Sequence, residues 1–184
     1  MRVPVWGRHS SEHRRLHRLA RTCRNRVREL DIIPGDDLEC VRAKISDRFG
    51  RQIALVPFPL SDSAIHGILI STDTVDYVVY EQHTTALHQN HIILHEFSHI
   101  MFGHYQNAQP APTEALVSLA PGGEWGSATV LGRQAYDDPQ ELEAELTATI
   151  LGECVSSGTE FPVPNLHDAD ERISRVLRTF SLEP

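Results

Sequence analysis

Apolar residues recur at helical spacing in several segments of this chain, and arginines fill the remaining positions of the first one. In residues 10–30 an apolar side chain returns every three or four positions, which is typical of an amphipathic helix. A second helix is predicted at residues 37–49, because Gly50 follows it and glycine commonly ends helices. Further helices are predicted from Asp138 to about Val155 and at residues 168–180.

Three runs rich in Ile, Val, Leu and Tyr, at residues 52–57, 65–71 and 75–80, predict β-strands. Only three residues separate the last two runs, which predicts a hairpin. The next helix, residues 84–103, has apolar side chains on nearly every side and is therefore predicted to be central and buried. The pattern predicts an α+β fold in which a small three-stranded sheet packs with this central helix and further helices.

The length of the chain favours one domain. A chain of 184 residues with 40% hydrophobic content can bury one core, so residues 1–184 are predicted to form a single domain. Residues 106–134 contain several prolines and a Pro-Gly-Gly step. This stretch is predicted to be an insertion that acts as a lid over the site, with a tolerated surface loop as the alternative.

The formal net charge of −8 conceals a basic first segment, since residues 1–28 hold nine arginines and one acidic residue. The acidity of the remainder argues against direct nucleic-acid binding, although the arginine-rich helix at residues 1–30 leaves a contact with an acidic partner open. The chain has three widely spaced cysteines, no signal-peptide pattern and no apolar run of membrane-spanning length. These features predict a cytoplasmic protein with no membrane partner.

The predicted central helix contains His95-Glu96-Phe97-Ser98-His99, which is the H-E-x-x-H pattern. Residues four apart lie on one face of a helix, so the imidazoles of His95 and His99 can bind one Zn²⁺ ion. Zinc acidifies water and polarises a carbonyl group, and the neighbouring Glu96 is predicted to be the general base. Because such polar groups are costly inside a buried helix without a common partner, a zinc site is favoured over a structural polar cluster.

A catalytic zinc ion needs a third protein ligand, which we expect on the helix that begins at Asp138. Glu141 occupies the third helical position, where it can close a capping box with Asp138. Glu143 falls near the middle of the apolar side of that helix, whereas Glu145 points to the polar side. A carboxylate on a buried face needs a partner, so Glu143 is predicted to be the third ligand, with Glu145 as the alternative.

Other polar residues near the motif have secondary roles in this interpretation. His104 lies five residues after His99, out of register for a third histidine ligand. Together with Tyr136 it is a candidate for stabilising the oxyanion. His88 and His91, which lie two turns and one turn before His95, are predicted to line the site or to support its ligands.

The two glutamate- and histidine-bearing segments together resemble the ImmA/IrrE family of bacterial zinc metallo-endopeptidases. The pattern of that family is H-E-x-x-H followed by a helix with E-x-E-A and a downstream alanine. Here it is matched by residues 95–99, by residues 141–144 and by Ala148, within a resemblance that extends to about Ile150. In the family the two histidines and the glutamate before alanine bind zinc, and the glutamate after the first histidine is the base. The resemblance therefore implies these roles for His95, His99, Glu143 and Glu96.

The resemblance also implies a zincin-like α+β fold and a selective endopeptidase of the cytoplasm. Its substrate would be a helix-turn-helix repressor or antitoxin, in transcription regulation or a toxin–antitoxin system. The alternative is a non-catalytic, zinc-containing regulator or toxin component that acts by binding a partner protein. In the enzyme interpretation, the strand at residues 75–80 is predicted to pair with an extended substrate as an added strand.

Overall fold

The computed structural model describes residues 6–60, 66–104, 129–131 and 138–156. Within these residues the chain forms a mixed α+β arrangement, as predicted. Its elements, in chain order, are α1 (Trp6–Glu29), α2 (Leu38–Phe49), β1 (Gln52–Phe58), β2 (Gly67–Ser71), β3 (Val75–Glu81), α3 (Ala86–Phe102), β4 (Thr129–Leu131) and α4 (Asp138–Ser156). The helix predicted at residues 168–180 lies outside the described residues.

The ends of α2 and α3 are set by local capping interactions. The Asp37 carboxylate accepts a hydrogen bond from the Cys40 amide at 2.7 Å and so caps the start of α2. Thr85 Oγ1 accepts the His88 amide in the same way at the start of α3. Gly50 and Gly103 end the two helices in the left-handed region, at φ 65° and 67°, which glycine adopts without strain. Because these signals are local, the boundaries predicted for α2 and α3 are confirmed to within two residues.

The described strands form one sheet in the order β1-β3-β2-β4, with β1 and β3 parallel and the other neighbours antiparallel. The three predicted strands and the hairpin between β2 and β3 are confirmed. The sequence did not predict β4, whose three residues are too few to show a period. It lies within the stretch interpreted as an insertion; the rest of that stretch, including the candidate lid, lies outside the described residues.

The position of β3 in the sheet corrects one prediction about substrate binding. It pairs with β1 along its whole length and with β2 from Asp76 to Tyr80. Both of its backbone edges are therefore occupied by the protein's own strands. The prediction that β3 accepts an extended substrate as an added strand is wrong.

The third helix is central, as its apolar pattern predicted. It contacts β2, β3, α2 and α4, and α4 also packs against α1. Side chains of α3 that are at most 1% exposed include Leu94, Phe97, Ile100 and Met101. The H-E-x-x-H segment is thereby held within the packed interior, next to α4. Among the described helices none has the length and apolar character needed to span a bilayer.

A buried ion pair joins the start of β1 to β3. Arg51 donates to both carboxylate oxygens of Asp76, at 2.9 and 2.7 Å, and Asp76 is fully buried.

Replacing Arg51 by methionine is expected to lower the free energy of unfolding by about 3–5 kcal/mol, because it leaves the buried carboxylate without its cation. Urea unfolding measures the loss. In the matched variant Arg26→Met, whose partner Glu29 is 59% exposed, we expect a loss below about 1 kcal/mol, and equal losses in the two variants would contradict the argument.

Candidate metal centre

The two histidines of the H-E-x-x-H segment face each other on one side of α3. Their Nε2 atoms are 3.0 Å apart, and their rings meet edge to face. His99 is completely buried, whereas the His95 side chain is 19% exposed. The spacing of four residues in a helix thus places both nitrogens at one point, as the sequence predicted.

A carboxylate from α4 reaches the same point. One oxygen of Glu141 lies 3.6 Å from His95 Nε2, and the other lies 3.5 Å from His99 Nε2. His95, His99 and Glu141 form a group whose donor atoms all lie within 4.8 Å of one another. The packing of α4 against α3 therefore completes a set of two imidazoles and one carboxylate.

The separations of these donor atoms fit a tetrahedral zinc ion. With bond lengths of about 2.0–2.2 Å, two ligands of such an ion stand roughly 3.3 Å apart. The two Nε2 atoms are 3.0 Å apart, and the carboxylate of Glu141 places one oxygen 3.5 Å from His99 Nε2 and the other 3.6 Å from His95 Nε2, so the separations lie on either side of that value. Two imidazole nitrogens and a carboxylate are also the donor set of a catalytic zinc site with an open fourth position. The residues present fit the metal that the motif implies.

The other nitrogen of each histidine has its own partner. His95 Nδ1 lies 3.4 Å from the Glu145 carboxylate, and His99 Nδ1 lies 2.9 Å from His104 Nδ1. A neutral imidazole has one protonated nitrogen, so protons held at the two Nδ1 atoms leave lone pairs on both Nε2 atoms. In that tautomeric state both Nε2 atoms, 3.0 Å apart, are acceptors, and one shared cation can bind both lone pairs.

Electrostatics differ between the two histidines. Burial, reinforced by the neighbouring His95 and His104, lowers the pKa of His99 to about 2, which keeps it neutral and able to bind a metal. Burial also acts to lower the pKa of His95, but the carboxylates of Glu145, Glu96 and Glu141 outweigh it and the pKa is raised. The pKa values of the two imidazoles are therefore shifted in opposite directions, His99 by burial and His95 by the surrounding carboxylates.

Glu96 lies beside the three metal donors but is not one of them. It is 5% exposed, and its buried Oε2 has no hydrogen-bond partner among the described residues. Burial raises its pKa to about 7, an effect that His95 opposes and Glu141 reinforces. A carboxylate with a pKa near neutrality is suited to exchange a proton in both directions, which is the task of a general base.

The backbone of β2 comes unusually close to Glu96, at a residue that the sequence analysis did not single out. A Cβ atom added to Gly67 would lie 2.5 Å from Glu96 Oε1 and 2.7 Å from Ile92 Cγ2. Only glycine allows this approach. A glycine at the start of a predicted strand is the signal that could have indicated it.

Replacing Gly67 by alanine is therefore expected to lower the free energy of unfolding by about 1–3 kcal/mol, because Glu96 and Ile92 must move. Thermal or urea unfolding measures the change. The matched control is Gly152→Ala in α4, where the added Cβ would meet Leu94 at an ordinary 3.9 Å. That variant is expected to gain about 0.5–1 kcal/mol from helix propensity. A Gly67→Ala protein as stable as the control would contradict the close approach.

Of Glu141, Glu143 and Glu145 on α4, the structure brings Glu141, rather than the predicted Glu143, to the two imidazoles. The Glu143 carboxylate instead lies 3.1 Å from His104 Nε2. Because α4 packs against both α1 and α3, the middle of its apolar side faces between them, and the Cys23 thiol of α1 donates to the Glu143 carbonyl. The side that faces α3 bears Glu141 and Glu145, one turn apart. Their i, i+4 spacing, equal to that of the histidine pair, was the signal in the sequence.

The remaining candidates have other contacts. His91 lies 3.3 Å from the Glu145 carboxylate and supports a group next to the site, as predicted, whereas His88 is exposed. Both ring nitrogens of His104 contact protein groups, so it is not placed to stabilise an oxyanion. Tyr136, the other oxyanion candidate, lies outside the described residues.

No family model, curated protein or solved structure matches this chain. Its chemistry must therefore be argued from the site. That site offers three convergent metal donors and, beside them, the buried carboxylate of Glu96, whose Oε2 has no hydrogen-bond partner among the described residues.

Proposed function

We propose that this protein is a zinc-dependent endopeptidase in which His95, His99 and Glu141 bind the metal and Glu96 is the general base. The observation that supports this most directly is the convergence of two imidazole nitrogens and a carboxylate beside the buried Glu96. A purely structural zinc site is closed by four protein ligands and needs no base. Here the described residues offer three ligands, together with a carboxylate of the kind that a hydrolytic site requires.

The residues divide the work of peptide hydrolysis. When bound, zinc supplies Lewis acidity, which lowers the pKa of water and polarises the scissile carbonyl group. Glu96 accepts a proton from the attacking water and then donates it to the nitrogen of the leaving amine. Burial favours the neutral form of Glu96, and a Zn²⁺ ion beside it would favour the ionised form that accepts the proton. Glu96 is buried with its Oε1 close against the backbone of Gly67, and this packing restricts the carboxylate before the reaction begins.

The resemblance to the ImmA/IrrE family supports a narrower proposal. A zincin-like fold, a cytoplasmic location and cleavage of a helix-turn-helix repressor or antitoxin are consistent with the H-E-x-x-H and E-x-E-A segments. In our proposal the second segment differs from the family's assignment in one respect. Its first glutamate, Glu141, binds the metal, and its second, Glu143, contacts His104.

The proposal is tested by the metal content and the zinc dependence of cleavage. We expect about one zinc per chain by elemental analysis, lost to a chelator and restored when zinc is returned. Protein added to an extract of its source cells is expected to produce new protein N-termini, which mass spectrometry identifies. These termini should disappear with the chelator and return with zinc. Failure to bind zinc would overturn the proposal, and zinc binding without new termini would favour the non-catalytic regulator.

A further inference from the structure

We propose that His104 and Glu143 are positioning residues that hold His99 in the tautomer able to bind zinc. The inference rests on the proposed function, since it takes His99 as a metal ligand. It assigns a role to two residues that bind neither the metal nor the substrate in that proposal. They act through His99 alone.

The geometry is a chain of two hydrogen bonds that leads away from the metal site. His104 Nε2 lies 3.1 Å from the Glu143 carboxylate, and His104 Nδ1 lies 2.9 Å from His99 Nδ1. His104 is 7% exposed, so protein groups replace water around its ring. This series of hydrogen bonds ends at the His99 ring, and the other nitrogen of that ring, Nε2, faces His95 and Glu141.

Proton positions along this chain follow from the carboxylate at its end. An ionised carboxylate only accepts hydrogen bonds, so His104 must donate from Nε2. Neutral His104 then has a lone pair on Nδ1, and that lone pair can accept only if His99 Nδ1 carries a proton. His99 Nε2 is left unprotonated, which is the state that a zinc ligand requires. Glu143 thus determines the tautomer of His99 across an intervening ring.

The arrangement also explains the position of His104 in the sequence. Gly103 ends α3 in the left-handed conformation, and its amide bonds back to the Ile100 carbonyl. The polypeptide turns there, and this places His104 beside Nδ1 of His99 rather than beside Nε2, the nitrogen that faces the metal site. A histidine out of register to bind the metal is therefore well placed to bind the opposite nitrogen of a metal ligand.

The two histidine ligands are supported in parallel ways. His95 Nδ1 is held directly by Glu145, at 3.4 Å, whereas His99 Nδ1 is held by Glu143 through His104. The three glutamates of the Glu141–Glu145 segment consequently serve one site in three ways. One contributes to the donor set, and the other two each orient one imidazole.

The test compares zinc affinities of the full-length protein, measured by competition with a chelator. In His104→Leu and Glu143→Ala we expect affinity to fall by roughly 10- to 100-fold, the usual cost of losing a group that orients a ligand. His104→Asn keeps an acceptor near the position of Nδ1 and is expected to lose only a few-fold. The exposed His88, replaced by asparagine, is the matched control and should bind zinc as the wild type does. All variants should still reach one zinc per chain at saturation.

A second readout separates positioning from packing, because His104 also stacks on Phe102. In the zinc-loaded wild type, NMR should show a downfield, slowly exchanging proton on His99 Nδ1. The signal is expected to persist in His104→Asn and to be lost in His104→Leu. A merely structural role for His104 predicts no such difference between the two variants.

The outcomes distinguish this inference from the proposed function. A wild type that binds no zinc overturns both. A wild type that binds zinc, with His104→Leu and Glu143→Ala within a factor of about three of it, overturns the inference and leaves the zinc site intact. A Glu143→Ala protein that no longer binds zinc at all would make Glu143 a ligand itself, and would also overturn the inference.

Discussion

Replacing Glu141 by alanine is expected to weaken zinc binding by roughly 10³-fold or more, because it removes one of three protein ligands. The expectation rests on the 3.6 and 3.5 Å separations between the Glu141 oxygens and the two histidine Nε2 atoms. The methyl group of alanine also removes one negative charge from beside the Zn²⁺ ion. Chelator competition on purified protein measures the loss, and elemental analysis after dialysis confirms it.

Glu143→Ala is the informative companion, because the helical pattern of the sequence and the family resemblance both favour Glu143 as the ligand. The structure predicts a smaller effect, roughly 10- to 100-fold, since Glu143 reaches the site only through His104. The order of the two losses decides between the assignments. If Glu143→Ala loses zinc while Glu141→Ala retains it, the structural assignment of the third ligand is wrong.

Replacing Glu96 by glutamine is expected to slow cleavage by roughly 10²- to 10⁴-fold while zinc remains bound, because the amide cannot accept the proton of the attacking water. Glutamine has nearly the same shape, so the close approach to Gly67 is preserved. The rate is measured as the appearance of the zinc-dependent new N-termini described above. Zinc content, determined on the same samples, controls for damage to the metal site.

The same variant distinguishes the enzyme from its main alternative. A non-catalytic regulator that acts by binding needs no general base, so its biological effect would survive Glu96→Gln. Unchanged effect together with retained zinc would therefore reject the peptidase. As a control for the mere loss of a carboxylate, Glu39→Gln removes an exposed one on α2 and should change neither zinc content nor cleavage.

Local signals made much of the fold predictable. Two helices begin and end at residues that form hydrogen bonds only a few positions along the chain: α2 at Asp37 and Gly50, and α3 at Thr85 and Gly103. The hairpin between β2 and β3 likewise depends on neighbouring residues. By contrast, the parallel pairing of β1 with β3 and the three-residue β4 depend on contacts between distant parts of the chain. No periodicity in a short window can indicate them.

The residues of the candidate site also fall into two groups, those that could be predicted from local spacing and those that depend on contacts between helices. His95, Glu96 and His99 were identifiable from sequence because one helix sets their relative positions, through a rotation of 100° per residue that holds in any α-helix. Which glutamate joins them depends on the rotation of α4 about its own axis against α3, and that rotation is set by the packing of α4 on both α1 and α3. Glu141, Gly67 and His104 acquire their contacts only when these elements meet. The sequence alone thus determined which groups one helix brings together, and the tertiary structure decided which residues they meet, because those contacts depend on side-chain packing between helices rather than on spacing within them.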